Sequence, residues 1–184
     1  MTIHAVAGYC HETVLWKMIL DVCSELLDGK SKEWRVLMPD TVVVDGEKFR
    51  LEHNTQQTTA PEFYPPEGIG KLGEAATVWS LGALICYASS GHYIFGGRGG
   101  TYQHDNPQVE LPMLRKDHAC LNALVQRCLC YSPDQRISLK ELQEAAQKGM
   151  ETARKKARKK MDKVTTDAGK TIVFTDDGWP EKMG

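Results

Sequence analysis

The spacing of apolar residues along the chain predicts a mainly α-helical protein. In the stretch 12–27, Val, Leu, Met and Ile recur at intervals of three and four, which is typical of a helix with one inner face. The stretch 75–89 is apolar on nearly all sides and predicts a buried helix. A third amphipathic stretch covers 117–130.

A fourth predicted helix starts at Ser138 and is long. Ser138 and Glu141 match the capping box, in which the two side chains satisfy the first N–H groups of a helix. Apolar residues then continue at spacings of four and three, so we predict one helix that extends to about residue 163. Beyond it, the run 171–175 has strand composition and is followed by Trp179, which predicts a strand-containing tail.

Between the helices, the sequence predicts one β-hairpin and two loops. Residues 41–44 and 48–51 are rich in β-formers and flank Asp45-Gly46, which predicts a hairpin that turns at that dipeptide. The segment 53–70 is rich in proline and predicts an ordered but irregular loop. The Gly-Gly-Arg-Gly-Gly run at 96–100 lacks the glycine order of a phosphate-binding loop, so we interpret it as a flexible loop.

The composition is that of an ordinary folded domain. The chain has 184 residues, of which 41% are hydrophobic and 26% are charged, and a chain of this length buries roughly 70% of its unfolded surface. No apolar run is long enough to cross a bilayer, and the first residues lack the pattern of a signal peptide. We therefore expect an intracellular, cytoplasmic protein without a transmembrane segment.

The cysteines predict packing rather than chemistry. Five of the six lie in apolar helical patterns, where a reduced thiol acts as a small hydrophobe, namely Cys23, Cys86, Cys120, Cys128 and Cys130. His4, Cys10 and His11 form the one grouping of metal-binding residue types, but a fourth ligand is missing and we expect this terminus to fray. We therefore predict neither a metal site nor a cofactor.

Charge is distributed unevenly, although the formal net charge is only -1. The region 148–163 is strongly basic, and its densest part consists of Arg154, Lys155, Lys156, Arg158, Lys159 and Lys160. Our first interpretation is a solvated helix end favoured by the helix dipole. The second is a helix that binds an acidic protein partner, and the last is a patch for nucleic acid or an anionic membrane.

Two passages together resemble the C-terminal lobe (C-lobe) of protein kinases. The sequence Thr77-Val78-Trp79-Ser80-Leu81-Gly82 is similar to the DVWSLG start of the central helix of that lobe. Cys128-Leu129, followed by Ser132-Pro133-Asp134-Gln135-Arg136, is similar to the CL..DP..R passage that joins its last two helices. The order and separation of the two passages match as well. The resemblance covers roughly residues 12–147 and implies a helical bundle of α+β family origin.

The resemblance also implies a structural ion pair. The family closes its activation segment with a YxAPE motif, whose glutamate pairs with the arginine of the second passage. Here Phe63-Tyr64-Pro65-Pro66-Glu67 is similar to that motif, and Ala60-Pro61-Glu62 is a competing literal match. We favour Glu67 as the partner of Arg136 and keep Glu62 as the alternative.

At the catalytic positions, the resemblance implies that phosphotransfer is lost. Set against HRDLKPEN, the segment 34–41 carries Val36 in place of the catalytic Asp and Thr41 in place of the metal-binding Asn. His53 stands where the DFG motif has its Asp. The Asp that braces the catalytic loop is Thr77 here, and we expect this position to be orphaned.

The function implied by the resemblance is therefore that of a catalytically inactive protein-interaction or regulatory module, similar to pseudokinases and non-catalytic kinase C-lobe domains. We expect an N-terminal segment (1–11), the kinase-like lobe (12–147) without an N-lobe, and a basic helix with a tail (148–184). The alternative is a kinase-related fragment that binds nucleotide only when a separate N-lobe completes it. We expect the tail and its Trp179 to dock on the protein's own lobe or on a second copy, which would give a homodimer.

Overall fold

The computed structural model describes residues 1–29, 34–52, 60–70 and 72–168, with residues 117 and 162–168 described by their backbone only. These residues form a mainly α-helical fold with one two-stranded antiparallel sheet, as the hydrophobic pattern predicts. In chain order the elements are α1 (Glu12–Asp28), β1 (Val42–Asp45), β2 (Lys48–Leu51), α2 (Glu74–Ser90), α3 (Gly99–Asp105), α4 (Ala119–Cys128) and α5 (Leu139–Ala168).

Helix α2 lies at the centre of the core, which confirms the prediction of a buried helix. All residues in 76–89 are buried. Trp79 is fully buried, and its indole N–H donates to Oε1 of Gln103 in α3 at 2.9 Å. Gly82 allows α4 to approach closely, because a Cβ at this position would lie 2.7 Å from the Cβ of Cys128.

Helices α1 and α5 pack against each other in antiparallel fashion. The ring of Trp16 lies over Gly149, where an added Cβ would come within 2.5 Å of the ring atoms. Two turns further along α1, Ser24 Oγ accepts a hydrogen bond from Nε2 of Gln143 at 2.9 Å. Residue 16 thus faces 149 while residue 24 faces 143, so the start of α1 lies beside Ala153, which is buried.

The capping box is confirmed, and α5 continues as one helix to Ala168, about five residues further than predicted. The backbone N–H of Ser138 donates to Glu141 Oε2 at 3.1 Å, and the N–H of Glu141 donates to Ser138 Oγ at 3.2 Å. The bond from the Ser138 N–H, and then the one that the Ser138 hydroxyl donates to Glu141 Oε2 at 2.9 Å, hold the pKa of Glu141 below its usual range. None of the described helices is long and apolar enough to span a membrane. The predicted strand 171–175 and Trp179 lie outside the described residues.

The hairpin is present, but its turn lies one residue later than predicted. Asp45 pairs with Lys48 and therefore belongs to β1, which leaves Gly46 and Glu47 as the two loop residues. Gly46 has a φ of 61°, the left-handed conformation that two-residue hairpin loops require. Glycine adopts it without strain, which explains why the turn forms around this residue.

The outer edge of β2 is capped by two carboxylates of α1. The N–H of Phe49 donates to Asp21 Oδ2 at 3.0 Å, and the N–H of Leu51 donates to Glu25 Oε2 at 3.0 Å. Asp21 and Glu25 are four residues apart and therefore share one face of the helix. They satisfy edge N–H groups that would otherwise be open to pairing with another strand.

The N-terminal segment covers the outer edge of β1, so the expectation that it frays is wrong. Thr2 forms a β-bridge with Val43, and the N–H of Val44 donates to the carbonyl of Met1 at 2.6 Å. Ile3 is fully buried in the core. Burial of this side chain and pairing with the strand anchor the segment, and neither contact is visible in its local sequence pattern.

The glycine-rich run at 96–100 is not a flexible loop, and that interpretation is wrong. Helix α3 begins within the run, and Gly99 and Gly100 are buried. The N–H of Gly100 donates to the carbonyl of Tyr64 at 2.8 Å, and an added Cβ would lie 2.3 Å from the carbonyl carbon of Pro65. The absence of a side chain therefore serves a close backbone approach rather than flexibility.

Thiol burial agrees with the packing interpretation at most positions and contradicts it at Cys120. Cys10, Cys23, Cys86 and Cys128 are buried, and Cys130 is half-buried. Cys120 is exposed at the N-terminus of α4, on the side of that helix that faces away from the core. The helical spacing was correctly interpreted, but it did not determine which face of the short helix is inward.

We expect a thiol reagent at mildly alkaline pH to distinguish the exposed Cys120 from the buried cysteines. Cys120 should be labelled fast in the native protein, whereas burial raises the pKa of Cys10 to about 11 and of Cys23 and Cys86 to about 12. Cys120→Ser should remove the fast phase, and fast labelling of the buried thiols in that variant would contradict the packing.

Folding raises the pKa values of Cys10, Cys23 and Cys86 from 9.0. The contribution of these thiols to the free energy of unfolding should therefore be constant below about pH 9 and fall above it.

Candidate functional site

The segment 34–41, which carries the catalytic positions of the resemblance, is held by two hydroxyls of α2. Thr77 Oγ1 accepts a hydrogen bond from the N–H of Arg35 at 3.1 Å and donates to the carbonyl of Arg35 at 2.8 Å. Ser80 Oγ accepts from the N–H of Leu37 at 2.8 Å. Both hydroxyl residues are fully buried, and breaking such bonds would leave buried polar groups unsatisfied.

The expectation that Thr77 is an orphaned position is therefore wrong. An ionised Asp only accepts hydrogen bonds, whereas a hydroxyl donates and accepts. Thr77 uses both capacities on the backbone of Arg35, so the segment is braced without a carboxylate. Ser80 was missed by sequence reasoning, and the available signal was a second hydroxyl three residues further along an otherwise apolar helix.

At the catalytic positions of the resemblance, the side chains are apolar or already hydrogen-bonded to the backbone. Val36 is half-buried and packs against the core, and Met38 is 8% exposed. Thr41 Oγ1 accepts from the N–H of Met38 at 2.9 Å and donates to its carbonyl at 3.0 Å. The Thr41 hydroxyl thus closes a local turn. Within the described part of this segment, these three side chains offer no carboxylate or amide oxygen to a hard cation such as magnesium.

The third catalytic position of the resemblance follows β2 in the chain. His53, together with Asn54 and Thr55, lies outside the described residues. The chain reaches them from the end of β2, where Arg35 Nη1 donates to the carbonyl of Glu52 at 3.2 Å. The segment 34–41 and the end of the hairpin are therefore neighbours in space.

Beside this segment lies a polar cluster that sequence reasoning missed. His4 Nδ1 lies 2.8 Å from the hydroxyl oxygen of Tyr87, and His4 Nε2 lies 3.4 Å from Asp40 Oδ1. Tyr87 stacks on Tyr93 with ring centroids 4.9 Å apart, and Phe63 meets it edge-on at 6.2 Å. Burial, and then the neighbouring Tyr93, raise the pKa of Tyr87. The cluster joins residues 83 positions apart in the chain, so no local pattern indicates it.

The structure does not bring His4, Cys10 and His11 together as a group that could hold a metal ion. His4 faces Tyr87 as described, and the Cys10 thiol donates to the carbonyl of Val6 at 3.3 Å. His11 is the residue immediately before α1, and its side chain makes no capping hydrogen bond there. Across 1–29, 34–52, 60–70 and 72–168, no group of three or more His, Cys, Asp or Glu residues is placed to hold a metal ion.

The structure brings Glu67 and Arg136 together in a bidentate ion pair. Arg136 Nη1 donates to Glu67 Oε1 at 2.6 Å, and Nη2 donates to Oε2 at 2.7 Å. The other three donors of the guanidinium bind backbone carbonyls, of Cys130 at 2.8 Å, Tyr131 at 3.0 Å and Ala75 at 3.1 Å. All five N–H groups of a buried arginine are thus satisfied.

The Arg136 side chain connects three regions of the chain. The Arg136 side chain is fully buried, while that of Glu67 is 26% exposed. The guanidinium joins the end of the segment 60–67, the first turn of α2 and the turn after α4. Glu62, the alternative partner, instead lies beside Gly97 and Gly99 at the start of α3.

The basic residues of α5 lie on exposed helix surface. Every residue in 154–160 is exposed, and Lys156 Nζ lies 3.4 Å from the sulfur of Cys120. Trp179, the other candidate interaction residue, is outside the described residues. The basic block therefore lies beside the N-terminus of α4.

Two comparisons with known proteins find no match for this chain. A scan against protein-family models matches none of them to this chain. A search of the curated proteins also finds no match. The resemblance to kinase C-lobes therefore remains a prediction from the sequence motifs.

Proposed function

We propose that this chain is a non-catalytic, kinase-like C-lobe that acts inside the cell as a protein-interaction or regulatory module. Three features support the family proposal: the buried start of α2 at Thr77, the hydroxyl brace on the segment 34–41, and the bidentate pair of Glu67 with Arg136. These residues hold a scaffold together, and none of them needs a substrate to make its contacts.

The proposal that the protein does not transfer phosphate depends mainly on which side chains the segment 34–41 carries. Phosphoryl transfer requires a carboxylate to orient the substrate hydroxyl and oxygen ligands for magnesium. Val36 supplies neither, and the hydroxyl of Thr41 already bonds both backbone groups of Met38. His53 at the third position offers a ligand that suits softer metals than magnesium.

Asp40 is the one carboxylate in the segment 34–41. It stands four residues after Val36, and its Oδ1 lies 3.4 Å from His4 Nε2. Its side chain is 59% exposed, so water competes for it. This carboxylate therefore belongs to the cluster around Tyr87 and not to a catalytic loop.

We expect the protein neither to bind Mg-ATP nor to transfer phosphate, because the oxygen ligands are missing. Thermal-shift titration with ATP, in the presence and in the absence of magnesium, should leave the melting temperature unchanged, and labelled ATP should leave no label on the protein or on general kinase substrates. Asp40→Asn serves as the control for the one nearby carboxylate. Saturable, magnesium-dependent stabilisation of the natural protein together with substrate labelling would overturn the proposal.

The interaction role is tested by capture of partners from a lysate. The natural chain should retain a defined set of proteins, which mass spectrometry identifies. Arg136→Lys provides a variant with a loosened scaffold, and a variant without the residues after 163 tests the predicted tail. A partner that binds all three forms equally would have to contact a surface independent of both regions.

A further inference from the structure

A thiol and an amine meet at the surface of the protein, where the start of α4 lies beside α5. Lys156 Nζ lies 3.4 Å from Cys120 Sγ, although the two residues are 36 positions apart in the chain. Both residues are exposed. A contact between exposed groups on two different helices leaves both of them open to a reagent in solution.

Buried neighbours on each helix hold this pair in place. Leu121 follows Cys120 directly and is fully buried, and Leu124, one turn later, is buried as well. On α5, the buried Ala153 precedes Lys156 by three residues. Packing of these neighbours in the core fixes the backbone on both sides of the contact, so only the lysine side chain has to move for the two groups to react.

Cys120 differs from the other cysteines in its access to solvent. All six cysteines lie in the described part of the chain, and Cys120 alone is exposed. Cys130 is half-buried, and its thiol donates to the carbonyl of Gln126 at 3.4 Å. Reactive cysteines are found at exposed positions near a cation or a helix N-terminus. Cys120 meets both conditions, because it is the second residue of the ten-residue α4 and contacts a lysine.

The distance between the sulfur and the nitrogen is that of groups about to react. Reacting atoms held about 3–3.5 Å apart are close to the geometry of attack, which removes much of the entropic cost of bringing them together. A cysteine sulfenic acid condenses with a thiol or with a backbone nitrogen, which gives a disulfide or a sulfenamide. An amine is a stronger nucleophile than a backbone nitrogen, whose lone pair is delocalised into the peptide bond.

We propose that Cys120 and Lys156 form a covalent sulfenamide crosslink when a peroxide oxidises the thiol. The thiolate attacks one oxygen of hydrogen peroxide and the O–O bond breaks, which gives sulfenic acid and hydroxide. The hydroxide takes a proton from the adjacent ammonium, which gives water and a neutral amine. The amine attacks the sulfur, so that the S–N bond forms, the S–O bond breaks and a second water leaves with a proton from nitrogen. The sulfur loses two electrons, and the peroxide is reduced to water.

The crosslink makes the attachment of α5 to α4 sensitive to oxidants. A thiol reductant reverses it by attacking the sulfur, which releases the amine, and a second thiol then frees the cysteine and leaves the reductant as a disulfide. Closing the loop between residues 120 and 156 restricts the unfolded chain and thereby stabilises the folded state. This chemistry requires only the two side chains and is independent of the proposed kinase-like function.

Intact-mass spectrometry of the full, reduced chain after treatment with hydrogen peroxide tests the proposal. We expect a species that has lost two hydrogen atoms, and tryptic peptides in which Cys120 is joined to Lys156 and cleavage after Lys156 is blocked. Dithiothreitol should restore the original mass. The oxidised protein should melt at least about 2 °C above the reduced protein, because the crosslink closes a loop.

Single substitutions assign the crosslink to the two residues. Lys156→Arg should prevent it, because a guanidinium keeps the positive charge but does not lose its proton to become a nucleophile. Cys120→Ser should prevent it as well. Lys155→Arg is the matched control, since it changes the neighbouring exposed lysine, which points about 100° away around the helix. This variant should form the crosslink as the natural protein does.

Several results would overturn the proposal. A loss of two hydrogens that persists in Lys156→Arg would indicate a disulfide. Conversion of Cys120 to sulfinic acid while Lys156 stays free would show that the amine does not capture the sulfenic acid. A crosslink to a different lysine would show that the observed contact is not the reactive one. An unchanged mass, at a peroxide concentration that oxidises the cysteine of a short peptide, would show that this thiol does not react.

Discussion

Arg136→Ala should destabilise the fold by about 3 kcal/mol or more. The substitution removes five hydrogen bonds from a fully buried side chain and leaves three backbone carbonyls and the carboxylate of Glu67 without their donor. Losses of this size follow when one partner of a buried ion pair is removed, because the remaining polar groups lose their bonds without gaining full access to water. Urea unfolding of the variant and of the natural protein measures the difference.

Three further variants make this expectation specific to the ion pair. Arg136→Lys keeps the charge but has three donors and no planar fork, so we expect a loss between those of the natural protein and the Ala variant. Glu67→Ala should also be costly, since it leaves a buried guanidinium without its anion. Glu62→Ala should cost less than about 1 kcal/mol. A larger effect at Glu62 than at Glu67 would show that the assignment of the activation-segment glutamate is wrong.

Gly100→Ala should be nearly as destabilising, by about 3 kcal/mol. The added Cβ would lie 2.3 Å from the carbonyl carbon of Pro65 and from the nitrogen of Pro66, and 2.4 Å from the carbonyl oxygen of Tyr64. These are backbone atoms, which cannot move aside as the end of a flexible side chain can. The hydrogen bond from the Gly100 N–H to Tyr64, at 2.8 Å, would be strained or lost as well.

Gly70→Ala is the matched control for this prediction. An added Cβ at Gly70 meets nothing within 4 Å and the residue does not have a positive φ, so its effect should stay within about 0.5 kcal/mol. Equal unfolding free energies for the two variants would contradict the close approach of α3 to the segment 60–66. They would also restore the interpretation of the glycine-rich run as a loop.

The two residues of the ion pair have a strong sequence context. The resemblance places Arg136 in a passage of fixed spacing and Glu67 after an aromatic residue, and the structure joins the two side chains. The resemblance misled us at Thr77, because a motif compares residue types and not hydrogen-bonding capacity. A threonine hydroxyl can take the place of a carboxylate whenever the partner is a backbone N–H within reach.

The cluster of His4, Asp40 and Tyr87 had no sequence signal at all. Its members come from the N-terminal segment, the braced segment and α2, and they meet because Ile3 is buried and Thr2 pairs with β1. Side chains at such separations are brought together by the packing of whole elements. A single sequence contains no periodicity that spans those distances.

The sequence by itself determined the features whose causes are local. Helical and strand spacing, the capping box at Ser138 and the glycine of the hairpin turn depend on neighbours within four residues, and each appears in the structure. Tertiary structure alone decided the brace on the segment 34–41, the buried role of Gly100 and the exposure of Cys120. These depend on which surfaces meet, and that is determined by the free energy of packing the whole chain rather than by any short stretch of it.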